Sequence, residues 1–124
     1  TELVAIDIEE WAYENTIENV EVNGCSKIEA RLGGKEQLKS SEVFDIVIAN
    51  INRNILLEDM HAYVAAMKKD SVLLLSGFYA LDASIIAEKG SEFGLKGILR
   101  KEENKHIIIF NTFLQTTRLN IKNR

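Results

Sequence analysis

The stretch ELVAID, residues 2–7, is an apolar run that ends in a carboxylate, and a helix-like segment follows it at residues 9–22. A near-continuous run of Leu, Val, Ala and Ile is typical of a strand that is covered on both faces, as the strands of parallel sheets are. Acidic residues open the following segment and Asn23-Gly24 provides its stop, as expected of a helix. The stretch therefore predicts a buried parallel strand with Asp7 at the carboxyl edge of a sheet, where ligands of open α/β folds bind.

The same order of buried strand and helix recurs twice along the chain. Residues 43–50 and 71–78 are predicted strands, and helices are predicted after each of them, the first capped by Asn52 with Lys68-Lys69 near its end and the second stopped by Gly90. The residues predicted to face inward are Trp11, Tyr13, Ile17 and Val20 in the first helix, Leu56, Met60, Val64 and Met67 in the second, and Leu81, Ile85 and Ile86 in the third.

Shorter elements complete the predicted fold. Residues 26–32 form a short strand before Gly33-Gly34, and residues 95–100 and 106–110 form an antiparallel pair. The pattern predicts an α/β, Rossmann-like sheet that is mostly parallel and ends in an antiparallel hairpin. We expect one domain over residues 1–110 and a tail over residues 111–124.

The composition bounds the class of protein. At 124 residues, with 46% hydrophobic and 27% charged, the chain is expected to be one globular domain without a membrane span or signal peptide, and therefore cytoplasmic. A net charge of -4 gives no overall attraction to nucleic acid, so no direct nucleic-acid partner is expected. Cys25, His61 and His106 have no metal-ligand spacing, so structural roles are expected and no metal site is predicted.

Three candidate positions follow the predicted strands, and each has a structural alternative. Asp7 can accept both hydroxyls of a ribose, or cap the next helix. Asn50 can project into the crevice at the sheet edge, or satisfy its own turn. At residues 76–79, Gly77 allows close backbone approach and Phe78 and Tyr79 offer aromatic walls, or the segment packs in the core.

Taken together, these segments resemble a known family over nearly the whole chain to Phe110. The motifs on which this resemblance rests are Ala5-Ile-Asp-Ile-Glu9, then Asp45-Ile-Val-Ile-Ala-Asn-Ile51, then Leu74-Leu-Ser-Gly77. They resemble class I S-adenosylmethionine-dependent methyltransferases, and more closely the ribosomal protein L-eleven methyltransferases of the PrmA type. The resemblance implies methyl transfer from S-adenosylmethionine to amino groups of a ribosomal protein.

The resemblance also implies roles for single residues. Asp7 would accept the ribose hydroxyls of the cofactor and Ile8 would pack against its adenine. Asn50 would border the transferred methyl group, and Asn50 with the carbonyl of Ile51 would orient the substrate nitrogen, because such catalysis is chiefly positioning. The residues expected to line the substrate channel are Ser76, Gly77 and Phe78. Asp7 and Asn50 are expected to face one pocket at the same rim of the sheet.

The chain departs from the family at its start, because the first strand and its Gly-rich loop do not precede Thr1. In this fold that strand lies between those at residues 3–8 and 44–50, so we expect a broken sheet. The chain alone would then be marginally stable and inactive, or would pair or exchange strands with a second copy.

Other function classes stay open. A nucleic-acid amine methyltransferase often carries Asn-Pro-Pro-aromatic where this chain has Asn50-Ile-Asn-Arg53, so the absence of proline disfavours it. A nicotinamide-binding Rossmann fragment lacks its Gly-rich turn here. A non-catalytic Rossmann-like interaction module, using edge strands and the basic tail, is the remaining alternative.

Overall fold

The computed structural model describes residues 2–102 and 105–111 of the chain. Strands and helices alternate as predicted, which confirms the α/β class. The strands are β1 (Leu3–Asp7), β2 (Ile28–Leu32), β3 (Phe44–Asn50), β4 (Met67–Ser76), β5 (Lys96–Glu102) and β6 (Lys105–Asn111), and the helices are α1 (Glu10–Val22), α2 (Arg53–Ala65) and α3 (Ala83–Glu92). Short 3-10 turns lie at Lys35–Gln37 and Ala80–Asp82. The chain divides into two compact units, Thr1–Lys39 and Ser40–Arg124.

The first unit is a parallel pair of strands with one helix. β1 and β2 run in register from Leu3 opposite Ile28 to Asp7 opposite Leu32. None of the residues of α1 is fully buried, and Trp11 is 70% exposed. The predicted inward face is therefore wrong at Trp11 and at the exposed Ile17, because a two-stranded sheet is too narrow to cover a whole helix face. Tyr13 and Val20 are half-buried.

The second unit contains a four-stranded sheet in the order β3-β4-β6-β5. β3 and β4 are parallel, whereas β6 is antiparallel to both β4 and β5, which confirms the predicted hairpin. Helices α2 and α3 cover one face of this sheet. The fully buried side chains of this core are Leu56, Met60, Leu73, Leu75, Ile86, Ile108 and Phe110.

The other face of the four-stranded sheet is apolar, and several of its described side chains are exposed. The strand registers align Ile48, Leu74, Ile109 and Ile98 in one row across the four strands. Ile48 is 68% exposed, and Ile46 and Ile98 are exposed as well. The prediction that β3 is buried on both faces is wrong here, because the helices of the second unit cover only the opposite face.

The boundary between α2 and β4 differs from the prediction. The helix ends at Ala65, and Met67 and Lys68 belong to the strand rather than to the helix. The Phe44 amide donates to the Ala66 carbonyl at 2.7 Å, which starts the pairing of β3 with β4 immediately after the helix. Asp70 then takes a positive φ of 61° where the register shifts. The strand thus begins at Met67, through a local irregularity, rather than at residue 71 as predicted.

Helix α3 also differs from its prediction in extent and orientation. It continues through Gly90 to Glu92, and Gly94, with a φ of 80°, follows its end. Gly90 is buried against the ring of Phe110, so it is a packing residue and not a stop. Ile86 faces the core as predicted, but Leu81 precedes the helix and is 88% exposed, and Ile85 is exposed.

Two further expectations concern the tail of the chain and the lack of a membrane span. The predicted tail over residues 111–124 lies outside the described residues except for Asn111, so the division at residue 110 stays a prediction. Within residues 2–102 and 105–111, no helix has the length and apolar character needed to cross a membrane.

Candidate active site

The end of β3 is a polar turn that is fixed on both sides. Asn50 is exposed at the last position of the strand, and the Ile51 amide donates to the carbonyl of Ser76 at 3.3 Å. The Asn52 side chain accepts from the Ile55 amide at 3.1 Å and so caps α2, as predicted. The turn is therefore joined to β4 on one side and to a helix on the other.

Gly77 closes this turn from the side of β4. Its φ is 86°, and a Cβ built on it would lie 2.5 Å from Asn50 Oδ1 and 3.2 Å from the Ile51 carbonyl oxygen. No larger residue fits here without moving the turn. Two hydrogen-bond acceptors therefore converge beside Gly77, and the structure brings together Asn50, Ile51, Ser76 and Gly77.

Phe78 and Tyr79 continue the chain after this contact and differ in exposure. The Phe78 side chain is packed into the core, which agrees with the structural alternative for this residue. Tyr79 is 79% exposed and lies on the surface. The prediction that Phe78 lines a substrate channel stays a prediction.

Asp7 and Ile8 end β1 in the first unit. Asp7 Oδ1 accepts from the Glu9 amide at 2.9 Å, which is a local turn contact before α1. The N-cap of α1 is Glu9 and, among the described residues, no side-chain hydrogen bond caps this helix, so the capping alternative for Asp7 is wrong. An ionised carboxylate has about four acceptor positions, so this exposed side chain keeps capacity for two ribose hydroxyls. Ile8 is 74% exposed, which leaves an apolar surface for a planar base. Because Asp7 and Asn50 belong to different units, their common pocket stays a prediction.

The loop after β2 contains an acid that the sequence analysis did not single out. Glu36 Oε1 accepts from the Gly34 amide at 2.7 Å. This bond, and a second to its own backbone amide, hold the pKa of the exposed Glu36 carboxyl below its ordinary value. The buried Arg31 fixes the same loop by donating to the Gln37 carbonyl at 2.7 Å. The signal for this contact in the sequence is a glutamate soon after Gly33-Gly34.

A second feature missed from the sequence is an ion pair beside the Asn50 turn. Arg53 Nη1 lies 3.1 Å from Asp82 Oδ1, across 29 residues of chain. Such a pairing has no sequence spacing to reveal it. The available signal was a cation at the first position of a helix, where the helix dipole disfavours positive charge.

His61 and Cys25 each contact a backbone carbonyl close by in sequence. His61 contacts the Glu58 carbonyl through Nδ1 at 3.0 Å, and the Cys25 thiol lies near the Asn23 carbonyl. In the described part of the chain, no group of three or more His, Cys, Asp or Glu is placed to hold a metal ion. A hollow of ≈ 280 Å³ lies against α1 and β2, and its lining contains none of the predicted site residues.

Comparison with known proteins identifies relatives of this chain. Residues 1–112 match the family model described as ribosomal protein L11 methyltransferase (PrmA). A ribosomal protein L11 methyltransferase of Bacteroides fragilis is 46% identical over 101 residues, which cover 82% of this chain. The match spans only 36% of that relative's length.

Solved structures show the same fold. A ribosomal protein L11 methylase from Lactobacillus delbrueckii superposes with a TM-score of 0.79 at 20% identity, covering 89% of this chain and 57% of the other. M. jannaschii TYW2, whose structure is in complex with AdoMet, gives a TM-score of 0.65 at 17% identity and covers 89% of this chain and 56% of the other. These similarities confirm the Rossmann-like methyltransferase fold.

Proposed function

Because the chain belongs to the ribosomal protein L11 methyltransferase family, we propose that it forms part of the catalytic domain of an enzyme that methylates amino groups of a ribosomal protein. The methyl donor is S-adenosylmethionine, the AdoMet that the M. jannaschii neighbour holds. Since the substrate is a ribosomal protein, we expect the activity in the cytoplasm, and direct contact with nucleic acid is not required. We propose that this domain covers residues 1–110.

Asp7 and Ile8 hold the nucleoside end of the cofactor in this proposal. The Asp7 carboxylate accepts the two ribose hydroxyls with the acceptor positions that its bond to Glu9 leaves. The exposed Ile8 side chain packs against the adenine ring, which removes apolar surface of both partners from water. When bound, S-adenosylmethionine supplies a methyl group on a sulfonium, which is already activated toward nucleophiles.

Asn50 and Ile51 position the substrate amine. A neutral primary amine has two N–H donors and one lone pair, so two acceptors on one side direct its lone pair to the other. Asn50 Oδ1 and the Ile51 carbonyl are such a pair, since both lie beside Gly77. Their convergence is the observation that carries the proposal. Positioning of this kind can supply most of the catalysis that an activated methyl group needs.

Ser76, Gly77 and Phe78 form the wall next to this pair. Gly77 leaves room for the two acceptors, the Ser76 carbonyl fixes the Ile51 amide, and the buried Phe78 anchors the segment to the core. We propose that the substrate chain passes along this wall to reach Asn50.

Methyl transfer by the complete gene product tests the proposal. Purified ribosomal protein L11 and labelled S-adenosylmethionine serve as substrates for the wild type and for Asn50→Ala. We expect the wild type to label the protein and the variant to lose about 100-fold in kcat with little change in cofactor affinity, because only the positioning of the amine is removed.

Asn23→Ala is the matched control, since Asn23 is an exposed asparagine at the end of α1 in the other unit. It should retain the wild-type kcat. An Asn50→Ala enzyme with full activity, or a wild type that labels RNA and no protein, would overturn the proposed function.

A further inference from the structure

The loop after β4 is connected to the loop after β3 at two separate places. At its start, the Ser76 carbonyl accepts from the Ile51 amide, and a Cβ built on Gly77 would lie 2.5 Å from Asn50 Oδ1. At its far end, Asp82 Oδ1 lies 3.1 Å from Arg53 Nη1. Residues 77–82 therefore form a segment, here called the 77–82 loop, that is held against the Asn50 turn from both ends.

The cationic residue of the ion pair occupies a position that does not suit it locally. Arg53 is the first residue of α2, where a positive charge opposes the helix dipole. Asp82 stands at the N-cap of α3, yet its side chain makes no capping hydrogen bond there and contacts Arg53 instead. Local helix energetics therefore do not explain Arg53. The carboxylate of Asp82 is favoured near the N-terminus of α3, and it pairs in addition with Arg53 across the two loops.

The pair is also partly protected from water and held in place. The Asp82 side chain is 16% exposed and that of Arg53 is 40% exposed. Arg53 Nε donates in addition to Asn54 Oδ1 at 3.2 Å, which orients the guanidinium group. Such an arrangement restrains the geometry of the loops more than an ion pair between two flexible exposed side chains would.

The other side chains of the 77–82 loop do little to anchor its far end, so the ion pair matters there. Phe78 is buried, but Tyr79 and Leu81 are exposed and contribute little to anchoring the loop by apolar burial. The Asp82 carboxylate is thus a side-chain tie that connects the far end of the loop to the Asn50 turn.

We infer that Arg53 and Asp82 are positioning residues for methyl transfer, which rests on the function proposed above. By holding the 77–82 loop against the turn, the pair keeps Gly77 beside Asn50 Oδ1 and the Ile51 carbonyl. The two acceptors then stay convergent on the substrate amine. Neither residue needs to touch the substrate or the cofactor for this role.

A double-mutant cycle in the complete gene product tests the inference. Arg53→Ala, Asp82→Ala and the double variant are assayed for methyl transfer to ribosomal protein L11 at saturating cofactor. Each single variant should lose about tenfold in kcat through misplacement of the turn, while the KM for S-adenosylmethionine stays unchanged. The double variant should be no slower than the single ones, because one contact is lost in all three.

Lys68 and Asp45 provide the matched control, since this ion pair joins β4 to β3 at 3.3 Å, near the ends of these strands that lie away from the Asn50 turn. Lys68→Ala and Asp45→Ala should leave kcat unchanged. The exchange variant Arg53→Asp with Asp82→Arg should recover part of the lost rate, and Arg53→Lys should lose less than Arg53→Ala. If the ion pair had only a structural role, its removal would lower the midpoint of thermal unfolding without lowering kcat at an unchanged KM for S-adenosylmethionine.

The outcomes separate the inference from the function on which it rests. An active wild type whose Arg53 and Asp82 variants keep full kcat overturns the inference alone, as does a double variant whose losses simply multiply. A wild type that transfers no methyl group to protein overturns the proposed function, and the inference with it.

Discussion

At the scale of one residue, the candidate site depends on Gly77 because glycine has no side chain. Its positive φ and its contact with Asn50 Oδ1 are two separate reasons for glycine. Gly24 shares only the first reason, since its φ is 64° and nothing lies within 4 Å of a Cβ built there. Comparing the two glycines separates backbone strain from displacement of the Asn50 turn.

We predict that Gly77→Ala lowers both stability and methyl transfer. The left-handed conformation alone costs about 1–2 kcal/mol in a non-glycine residue. The added Cβ must also move Asn50 Oδ1 or the Ile51 backbone. Thermal unfolding and kcat of the complete gene product measure the two effects.

Gly24→Ala is the control and should lose about the same 1–2 kcal/mol from strain while keeping its kcat. Equal kcat values for Gly77→Ala and Gly24→Ala would show that the contact with Asn50 does not matter for catalysis.

The site residues differ in how far the sequence could predict them. The sequence predicts that Gly77 allows close backbone approach, and the structure places Asn50 and Ile51 beside it, whereas its role in a substrate channel stays a prediction. The pairing of Arg53 with Asp82 was not predicted, because it depends on how two loops meet across 29 residues. Asp7 makes a local turn contact with the Glu9 amide rather than the helix cap that the sequence allowed, and its role toward a ribose stays a prediction.

At the scale of elements, hydrophobic periodicity predicted helix faces only where a wide sheet covers them. Leu56, Met60 and Val64 of α2 are buried as predicted, because α2 packs in the unit that has four strands. Trp11 of α1 is exposed, because only two strands are paired in its unit. Periodicity gives the apolar side of a helix, but the sheet decides whether that side is buried.

Gly90 in α3 gives a prediction at this scale. In an open helix, Gly→Ala stabilises by about 1 kcal/mol. Here the new methyl group would collide with the ring of Phe110, so we expect Gly90→Ala to destabilise by about 1–3 kcal/mol through overpacking. Chemical denaturation of the complete gene product measures the change.

Ser84→Ala is the matched variant on the exposed side of α3, and it should be neutral or slightly stabilising. If Gly90→Ala stabilised the protein as much as Ser84→Ala, the close packing of α3 on β6 would be wrong.

Tyr63, in α2, makes the stability of the folded protein depend on pH. Burial, with a smaller effect of Asp59, raises the pKa of Tyr63 to about 12 from 10.0. The unfolded chain therefore loses this proton at a lower pH than the folded chain does. Stability conferred by Tyr63 is full below pH 10 and falls as the pH rises toward 12.

Unfolding at several pH values should show that Tyr63→Phe flattens this decline, whereas Tyr79→Phe, which changes an exposed ring, should not. An unchanged slope in Tyr63→Phe would show that burial does not hold the proton on Tyr63.

At the scale of the molecule, the strands form two sheets. The sequence predicted a break between residues 3–8 and 44–50, and in the described residues β1 pairs with β2 while β3 pairs with β4. Apolar residues on one face of the second sheet are exposed, including Ile46 and Ile48, because the helices of this unit cover the opposite face. The sequence could predict this break from family order, but not the exposure of each side chain.

We predict that the 124-residue chain by itself associates through this sheet, as exposed apolar strands with an open edge do. Sedimentation velocity should show species larger than a monomer, and Ile48→Lys should shift them toward the monomer. Ile85→Lys, which changes an exposed isoleucine on α3, is the control and should leave the distribution unchanged. A stable monomeric wild type would contradict this prediction.

The most direct measurement of the central claim is calorimetric binding of S-adenosylmethionine to the complete gene product and its variants. We expect the wild type to bind, Asp7→Ala to bind roughly 10- to 100-fold more weakly because hydrogen bonds to a charged carboxylate are lost, and Asp45→Ala to bind as the wild type does. Asp7→Ala binding with wild-type affinity, or a wild type that does not bind at all, would contradict the account.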